Sequence, residues 1–295
     1  MSEVMELRQS RPKLSLRRFA RYAGVPYWQL RDFEKRENQR KTRAQAHDKL
    51  REQVKRVALE HPTYGYRFLY QELREQGEQM GLHHVRKLLG ELELNPPQPR
   101  KTRKSPVKVT APPDWPAGRR VQIDATRLSL ADGVCWVYHV LDVRSRVVLA
   151  SKAVRSLSMQ LAKAALDEGV AVLRSLGIHG SVLVQSDGGS DFTGEVFQNA
   201  CLRYGTWVRC KVSQKGGMAD RPGRCRFVQD GILERLNRTY KYAFAFRHDW
   251  KSLAEVQTAL PDFLRWYNQQ RRHSALNYSI PWAILIGAAN PRIAA

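Results

Sequence analysis

The sequence predicts an α/β domain built on a mixed five-stranded sheet with flanking helices, preceded by small all-helical units. Three observations carry this. Apolar residues before position 95 recur with the period of a helix, and those after position 118 alternate with the period of strands. Between them lies a stretch with seven prolines and almost no apolar side chains.

The 295 residues suffice for one sizeable domain and one or two small ones, and 42% apolar residues can fill a core. Fifty lysines and arginines against 28 acids leave a net charge of +22. A polyanionic partner follows, with nucleic acid the leading candidate because phosphate neutralisation rewards many distributed cations. No long apolar run or greasy basic helix supports a membrane partner. MSEVMELRQSRPKLS lacks the apolar segment of a secretory signal, so a cytoplasmic and reducing setting is expected. Cys135, Cys201, Cys210 and Cys225 lie far apart, which indicates packed free thiols rather than a disulfide framework or zinc ribbon.

In residues 1–42, Leu16, Phe19, Ala20 and Ala23 form the stripe of a short helix, Gly24 breaks it, and a second helix starts near Pro26. Helix, glycine turn, helix fits a helix-turn-helix, with Gln29, Arg31 and Arg36 as DNA contacts; a plain helical hairpin has the same pattern. Residues 43–94 carry three stripes, namely Leu50, Val54, Val57 and Ala58; Phe68, Leu69 and Leu73; then Leu82, Val85, Leu88, Leu89 and Leu92. Three helices around a small core are expected, punctuated by Pro62, Gly65, Gly77 and Gly81. Arg67, Arg86 and Lys87 are its candidate DNA contacts. His61, His83 and His84 have no cysteine nearby, which excludes a His-His-Cys-Cys zinc module. Residues 95–118 read as a proline-rich basic linker, a solvated segment or one that tracks a DNA backbone.

The main domain, 119–288, opens with RRVQIDATRLSL, VCWVYHVLDV and VVLASKAV, three strands joined by short turns. A helix follows from about Ser158 to Leu176. SVLVQSD is a short buried strand, TGEVFQNACLRYG a helix, TWVRCKV a strand, and QDGILERLNRTYKYAF a helix. That order is the layout of a ribonuclease-H-like domain. Residues 289–295 form a tail.

Three acids sit where a metal site could assemble. Asp124 lies in the middle of the first strand, where a charge is useful only if it faces a site or a cation. Asp187 ends the fourth strand, at the carboxyl edge where α/β sheets hold ligands, and in this fold the first and fourth strands are neighbours. At 100° per residue, Ile232, Leu233, Leu236 and Tyr240 define the buried side of the last helix, with Asp230, Glu234, Asn237 and Lys241 opposite. A surface helix carrying Glu and Lys would show the same arrangement. Carboxylates suit Mg2+ or Mn2+, and two ions about 3.5 to 4 Å apart could serve phosphodiester chemistry, with Lys241 and Arg238 holding DNA phosphates. Ser186 and His273 have no obvious third partner for nucleophilic catalysis. Asp142, before a tight turn, reads as a local hydrogen-bond acceptor, while Trp266 and Tyr267 read as core aromatics. His273 could equally meet a phosphate or a helix end.

With these residues in view, the chain resembles the second-reading-frame transposases of the IS-three family of bacterial insertion sequences, relatives of retroviral integrases. SLRRFARYAGVPYWQLRDF is similar to the family's first helix-turn-helix, and HPTYGYRFLYQELREQG with HHVRKLLGELEL to its second helical DNA-binding module. VQIDATRLSL, VLDVRSRVVLA, QSDGGSDFTGEVF and ILERLNRTYK match the blocks around its catalytic acids, and FLRWYNQQRRHSALNYSIPWA its closing segment. The resemblance implies an integrase-like catalytic core in which Asp124, Asp187 and Glu234 hold the metal. It further implies a chain that cuts and joins DNA, binding double-stranded element ends and target DNA as an oligomer, with a possible partner from the element's first reading frame.

The sequence departs from the family in places. Between Asp187 and Glu234 lie 46 residues where roughly thirty-five are usual, the excess falling around KGGMADRPGRCRFVQ. Asp230 stands where Asn is common, a possible additional ligand, and Arg272 stands where proline is common. The long insertion keeps a second reading open, that of a catalytically inactive DNA-binding protein derived from a transposase. A nuclease for RNA hybrids or branched DNA would share the core but not explain the helix-turn-helix units.

Overall fold

The computed structural model describes residues 4, 7, 14–96, 115–209 and 231–289. The chain divides into two compact units, Met1–Pro99 and Arg100–Ala295. Most of the expected linker, the 290–295 tail, the KGGMADRPGRCRFVQ segment, Asp230, Cys210 and Cys225 lie outside the described residues. Among those described, no helix is long and apolar enough to cross a membrane.

The first unit begins with α1 (Leu16–Tyr22), capped by the Ser15 hydroxyl, which accepts from the Arg18 amide at 3.4 Å. Gly24 takes φ +65, the left-handed turn that a β-carbon would oppose. Helix α2 (Tyr27–Glu60) then runs for 34 residues. The expected separation of the helical units near residue 42 is therefore replaced by unbroken helix. The reason is chemical: no glycine or proline occurs between Pro26 and Pro62, and the intervening residues are mostly good helix formers. Phe19, Ala20 and Leu30 make one small core near the start of α2. At its other end Val54, Val57 and Ala58 pack on Leu69 and Leu73 of α3 (Tyr66–Glu75) and on Val85, Leu88 and Leu89 of α4 (Leu82–Glu91). These are the three stripes read from the sequence.

In the second unit the strands are β1 (Arg120–Leu130), β2 (Gly133–Asp142), β3 (Val148–Val154), β4 (Val182–Ser186) and β5 (Gly205–Arg209). Their order is β3-β2-β1-β4-β5. β1, β2 and β3 form an antiparallel meander, whereas β1 pairs β4 and β4 pairs β5 in parallel. Helices α5 (Met159–Ser175) and α6 (Glu195–Tyr204) cover one face, burying Val121, Ile123, Val140 and Val184 with Leu166, Val170 and Phe197. At Gly169 an added β-carbon would lie 2.8 Å from a Val140 methyl, so α5 approaches β2 as closely as backbone allows.

The opposite face carries α7 (Gly231–Thr239) and α8 (Leu253–Arg265), which bury Leu233, Leu236, Val256, Leu260 and Phe263 on Leu128, Val137 and Val148. The expected helix runs through Phe244 but changes its winding, from α in Gly231–Thr239 to a π-helical turn in Tyr240–Phe244. That turn lets Tyr240 and Phe244 both meet Phe263, at ring distances of 4.9 and 5.3 Å. Past α8, Asn268 is buried: its side chain accepts from the Val148 amide and donates to the Val148 carbonyl, both at 2.9 Å. Gln257 donates to the Ala153 carbonyl at the other end of the same edge strand. The last described helix is α9 (Pro281–Ala289).

Candidate functional site

Alternation along β1 sends Val121 and Ile123 into the α5 side and turns Arg120, Gln122 and Asp124 toward the α7 side. Arg120 and Gln122 are buried, and both side chains donate to the side-chain Oε1 of Gln185 on β4, at 2.7 and 3.3 Å. This polar floor fixes the parallel register. Arg120, Val121 and Gln122 stand level with Leu183, Val184 and Gln185, and continuing that offset by two residues brings Asp124 level with Asp187 just beyond the strand. Two residues on from Gln185, Asp187 takes the same side as Asp124 by the same alternation.

Asp124 is half-buried, and its carboxylate accepts from the Asn237 side-chain amide at 2.7 Å. Asn237 belongs to α7, with Glu234 one turn earlier on the same side of the helix and exposed. Leu233, Leu236 and Tyr240 are buried on the other side, as the periodicity requires. The half-buried Asp187 accepts from the Gly189 amide at 2.9 Å. Among the described residues, no three His, Cys, Asp or Glu side chains stand together as a group that could hold a metal.

Two polar neighbours escaped the sequence reading as partners. Asn237 was legible as a face but not as the group that clasps Asp124. Asp191 is buried in the turn Ser190–Thr193 and accepts from the Tyr138 hydroxyl at 2.7 Å. Burial pushes its carboxyl above the usual range, the Tyr138 hydrogen bond opposes this, and the charge of Asp187 adds to it. Its spacing of four from Asp187 was the available signal.

The remaining residues sort by environment. Asp142 is buried and accepts from the Gly118 amide, the Ser145 amide and the Ser145 hydroxyl at 2.8, 2.8 and 2.6 Å, the local acceptor expected of an aspartate before a turn. Tyr267 is buried and Trp266 half-buried in the α8-side core, with the Arg271 guanidinium 5.7 and 5.8 Å from their ring centres. His273 is buried; that burial, with the charges of Arg271, Arg146 and Arg235, lowers its pKa to about 3 and holds it neutral. The Arg272 guanidinium donates to the Tyr278 carbonyl at 3.2 Å. Cys135 and Cys201 are buried free thiols.

The basic candidates are mostly on the surface. Gln29, Arg31, Arg36, Arg67, Arg86, Lys87 and Arg238 are exposed and Lys241 is half-buried. Arg67 and Arg86, from α3 and α4, converge on the Tyr66 ring at 5.6 and 5.7 Å, and Lys87 pairs with Glu91 at 3.6 Å.

Residues 219–281 match the integrase core domain family, and residues 45–102 match the HTH-like domain family. The chain is 24% identical over 256 residues to the transposase for insertion sequence element IS629 of Shigella sonnei, covering 83% of this chain and 81% of that one. It is 22% identical over 218 residues to the putative transposase InsK for insertion sequence element IS150 of Escherichia coli K12, covering 70% and 72%. Among solved structures, the HTLV-2 integrase catalytic core domain in complex with magnesium aligns with TM-score 0.40 and 16% identity over 57% of this chain and 97% of that one. The simian T-cell lymphotropic virus intasome in complex with the PP2A regulatory subunit B56 gamma aligns with TM-score 0.45 and 15% identity, covering 79% and 74%.

Proposed function

We propose that this chain, an insertion-sequence transposase with an integrase core and an HTH-like domain, cuts and joins DNA with Asp124, Asp187 and Glu234. Transposition and integration of DNA by polynucleotidyl transfer are the activity of the group to which it belongs. The assignment of the three acids rests on one observation, the β1–β4 register that levels Asp124 with Asp187 while α7, which carries Glu234, is tied to Asp124 through Asn237.

The donor set suits a hard divalent cation, since three carboxylates, one on β1, one just past β4 and one on α7, offer oxygen ligands and no sulfur or imidazole. Mg2+ or Mn2+ is the ion this set would hold, as a pair in the reading favoured here, with Asp230 a further candidate ligand. Bound there, the metal would activate the attacking oxygen and offset charge at the leaving oxygen. The protein's own part is to position. Asn237 holds Asp124 toward the helix, the Gly189 amide holds Asp187, and Arg238 and Lys241 lie within two turns of Glu234, where cations can hold phosphates.

The helical units would grip the terminal repeats through Gln29, Arg31, Arg36, Arg67, Arg86 and Lys87. The working form is an oligomer on DNA, with the product of the element's first reading frame as a possible partner and the nucleoid as its setting. The competing reading, a DNA-binding protein without catalysis, has its motive in the 46 residues that separate Asp187 from Glu234. Cleavage and strand transfer on element-end duplexes, with and without Mg2+ or Mn2+, separate the two. Asp124→Asn should abolish cutting and keep binding; a wild-type chain that binds ends and never cuts with either metal establishes the competing reading.

A further inference from the structure

Helix α2 has a central stretch that serves neither small core. From Lys35 to Lys49 every described side chain except Glu37 and His47 is exposed, and the stretch holds six lysines and arginines against two acids. A helix that is polar all round bridges two parts of a molecule or is held by many i,i+4 pairs, and this stretch carries an i,i+3 pair, Glu37 with Arg40 at 3.7 Å. Its charges are also ordered. At 100° per residue, Gln29, Arg36, Arg40, Arg43 and His47 fall within an arc of about 60°, on the line that Leu50, Val54, Val57 and Ala58 continue into the second core. Leu30, which anchors the first core, lies about 120° away, so the first helical pair leaves Gln29 exposed on the row's side.

Arg36 and Arg40 are one turn apart, as are Arg40 and Arg43, and like charges at such spacing weaken an isolated helix. An anion laid along the row removes that repulsion. The two anchor points, Leu30 and Val54, are 24 residues apart in one helix, about 36 Å at 1.5 Å per residue. One turn of B-DNA advances about 34 to 36 Å, or about 10 base pairs.

We infer that α2 is a fixed spacer that holds the first helical pair and the HTH-like module one DNA turn apart, with the Arg36–Arg40–Arg43 row covering the phosphates between. A single protomer would then read the element end as two contacts of set spacing. This rests on the DNA-binding reading above and adds to it a distance.

The test is hydroxyl-radical footprinting and affinity measurement with the full chain on a duplex bearing the DNA end that flanks its coding region, against an unrelated duplex of equal length. Two protected tracts about 10 base pairs apart are expected. Inserting five base pairs between them turns one contact to the far side and should weaken binding at least tenfold. In Ala46→Pro, which breaks the rod, the penalty should fall below threefold. Arg36→Ser with Arg40→Ser and Arg43→Ser, which leaves the rod whole, should lower the salt slope by about 2 to 3. A single protected tract, or wild-type tolerance of the five-base-pair insertion, overturns the spacer and leaves the transposase reading standing. Equal binding to both duplexes overturns the spacer together with end recognition.

Discussion

Two aspartates on adjacent strands of one sheet live under opposite conditions. Asp142 closes β2, buried, with three donors drawn in around its carboxylate. Burial still pushes its carboxyl above the ordinary range, against those hydrogen bonds and the nearby charge of Arg146. Asp124, mid-strand on β1, is half-buried and faces a helix that offers it an amide. A carboxylate enclosed by its own turn stabilises a fold. Asp124 is instead tied to a separate element, the helix α7, and the difference lies in what surrounds the acid, since both occur in apolar strands.

The comparison can be broken most forcefully at Asp124. Asn there should cut strand-cleavage rate roughly a thousandfold, about 4 kcal/mol of barrier, with a melting temperature close to wild type. A large loss of stability instead would put Asp124 in the same class as Asp142. Asp142→Ala should do the reverse: three donors lose their acceptor, costing about 3 kcal/mol and lowering Tm by about 6 to 12 °C for a domain of this size. Calorimetry of the purified variant checks it, and an unchanged Tm would remove the structural role.

A smaller effect sharpens the same contrast through pH. Burial lowers the pKa of His139 to about 3, from 6.5 in the unfolded chain, so its neutrality contributes stability above pH 6.5 that is lost as pH falls toward 3. At pH 5 this costs about 2 kcal/mol, and His273 acts with the same sign. The raised carboxyls of Asp142 and Asp191 act oppositely, gaining stability as they protonate. In denaturant titrations from pH 7 to 5, the gap between wild type and His139→Gln should narrow on acidification; a constant gap contradicts a neutral buried imidazole. The least effect belongs to a third aspartate. Asp132 pairs with Arg155 at 2.6 Å on the open surface, and Asp132→Ala should leave Tm unchanged within error.

Much of this was readable from the chain. Strand and helix periods located all five strands and the helices α5, α6 and α7, because each buries one face on a core. The buried side of α7 was legible for the same reason, Leu233, Leu236 and Tyr240 recurring at helical spacing. What escaped was set by contacts distant in sequence. Asn237 meets Asp124 across 113 residues, and Tyr138 meets Asp191 across 53, and no local pattern marks either pair. The change from α to π winding at Tyr240 escaped as well, since it accompanies the aromatic cluster around Phe263, whose rings are distant in sequence. The length of α2 escaped too, since the expected boundary at 42–43 says nothing of whether one helix runs through it, and no glycine or proline interrupts Tyr27–Glu60.

The side-chain amides along β3 bear on how copies of the chain can meet. β3 is an outer strand, whose unused backbone groups would ordinarily invite another strand to dock. Asn268 occupies both groups of Val148, and Gln257 takes the carbonyl of Ala153, so this margin is sealed from within at two places. At Val148 and Ala153 the strand is thereby closed to sheet extension, and Asn268→Leu should unseal the margin and favour sticky, sheet-to-sheet aggregates, visible as increased light scattering.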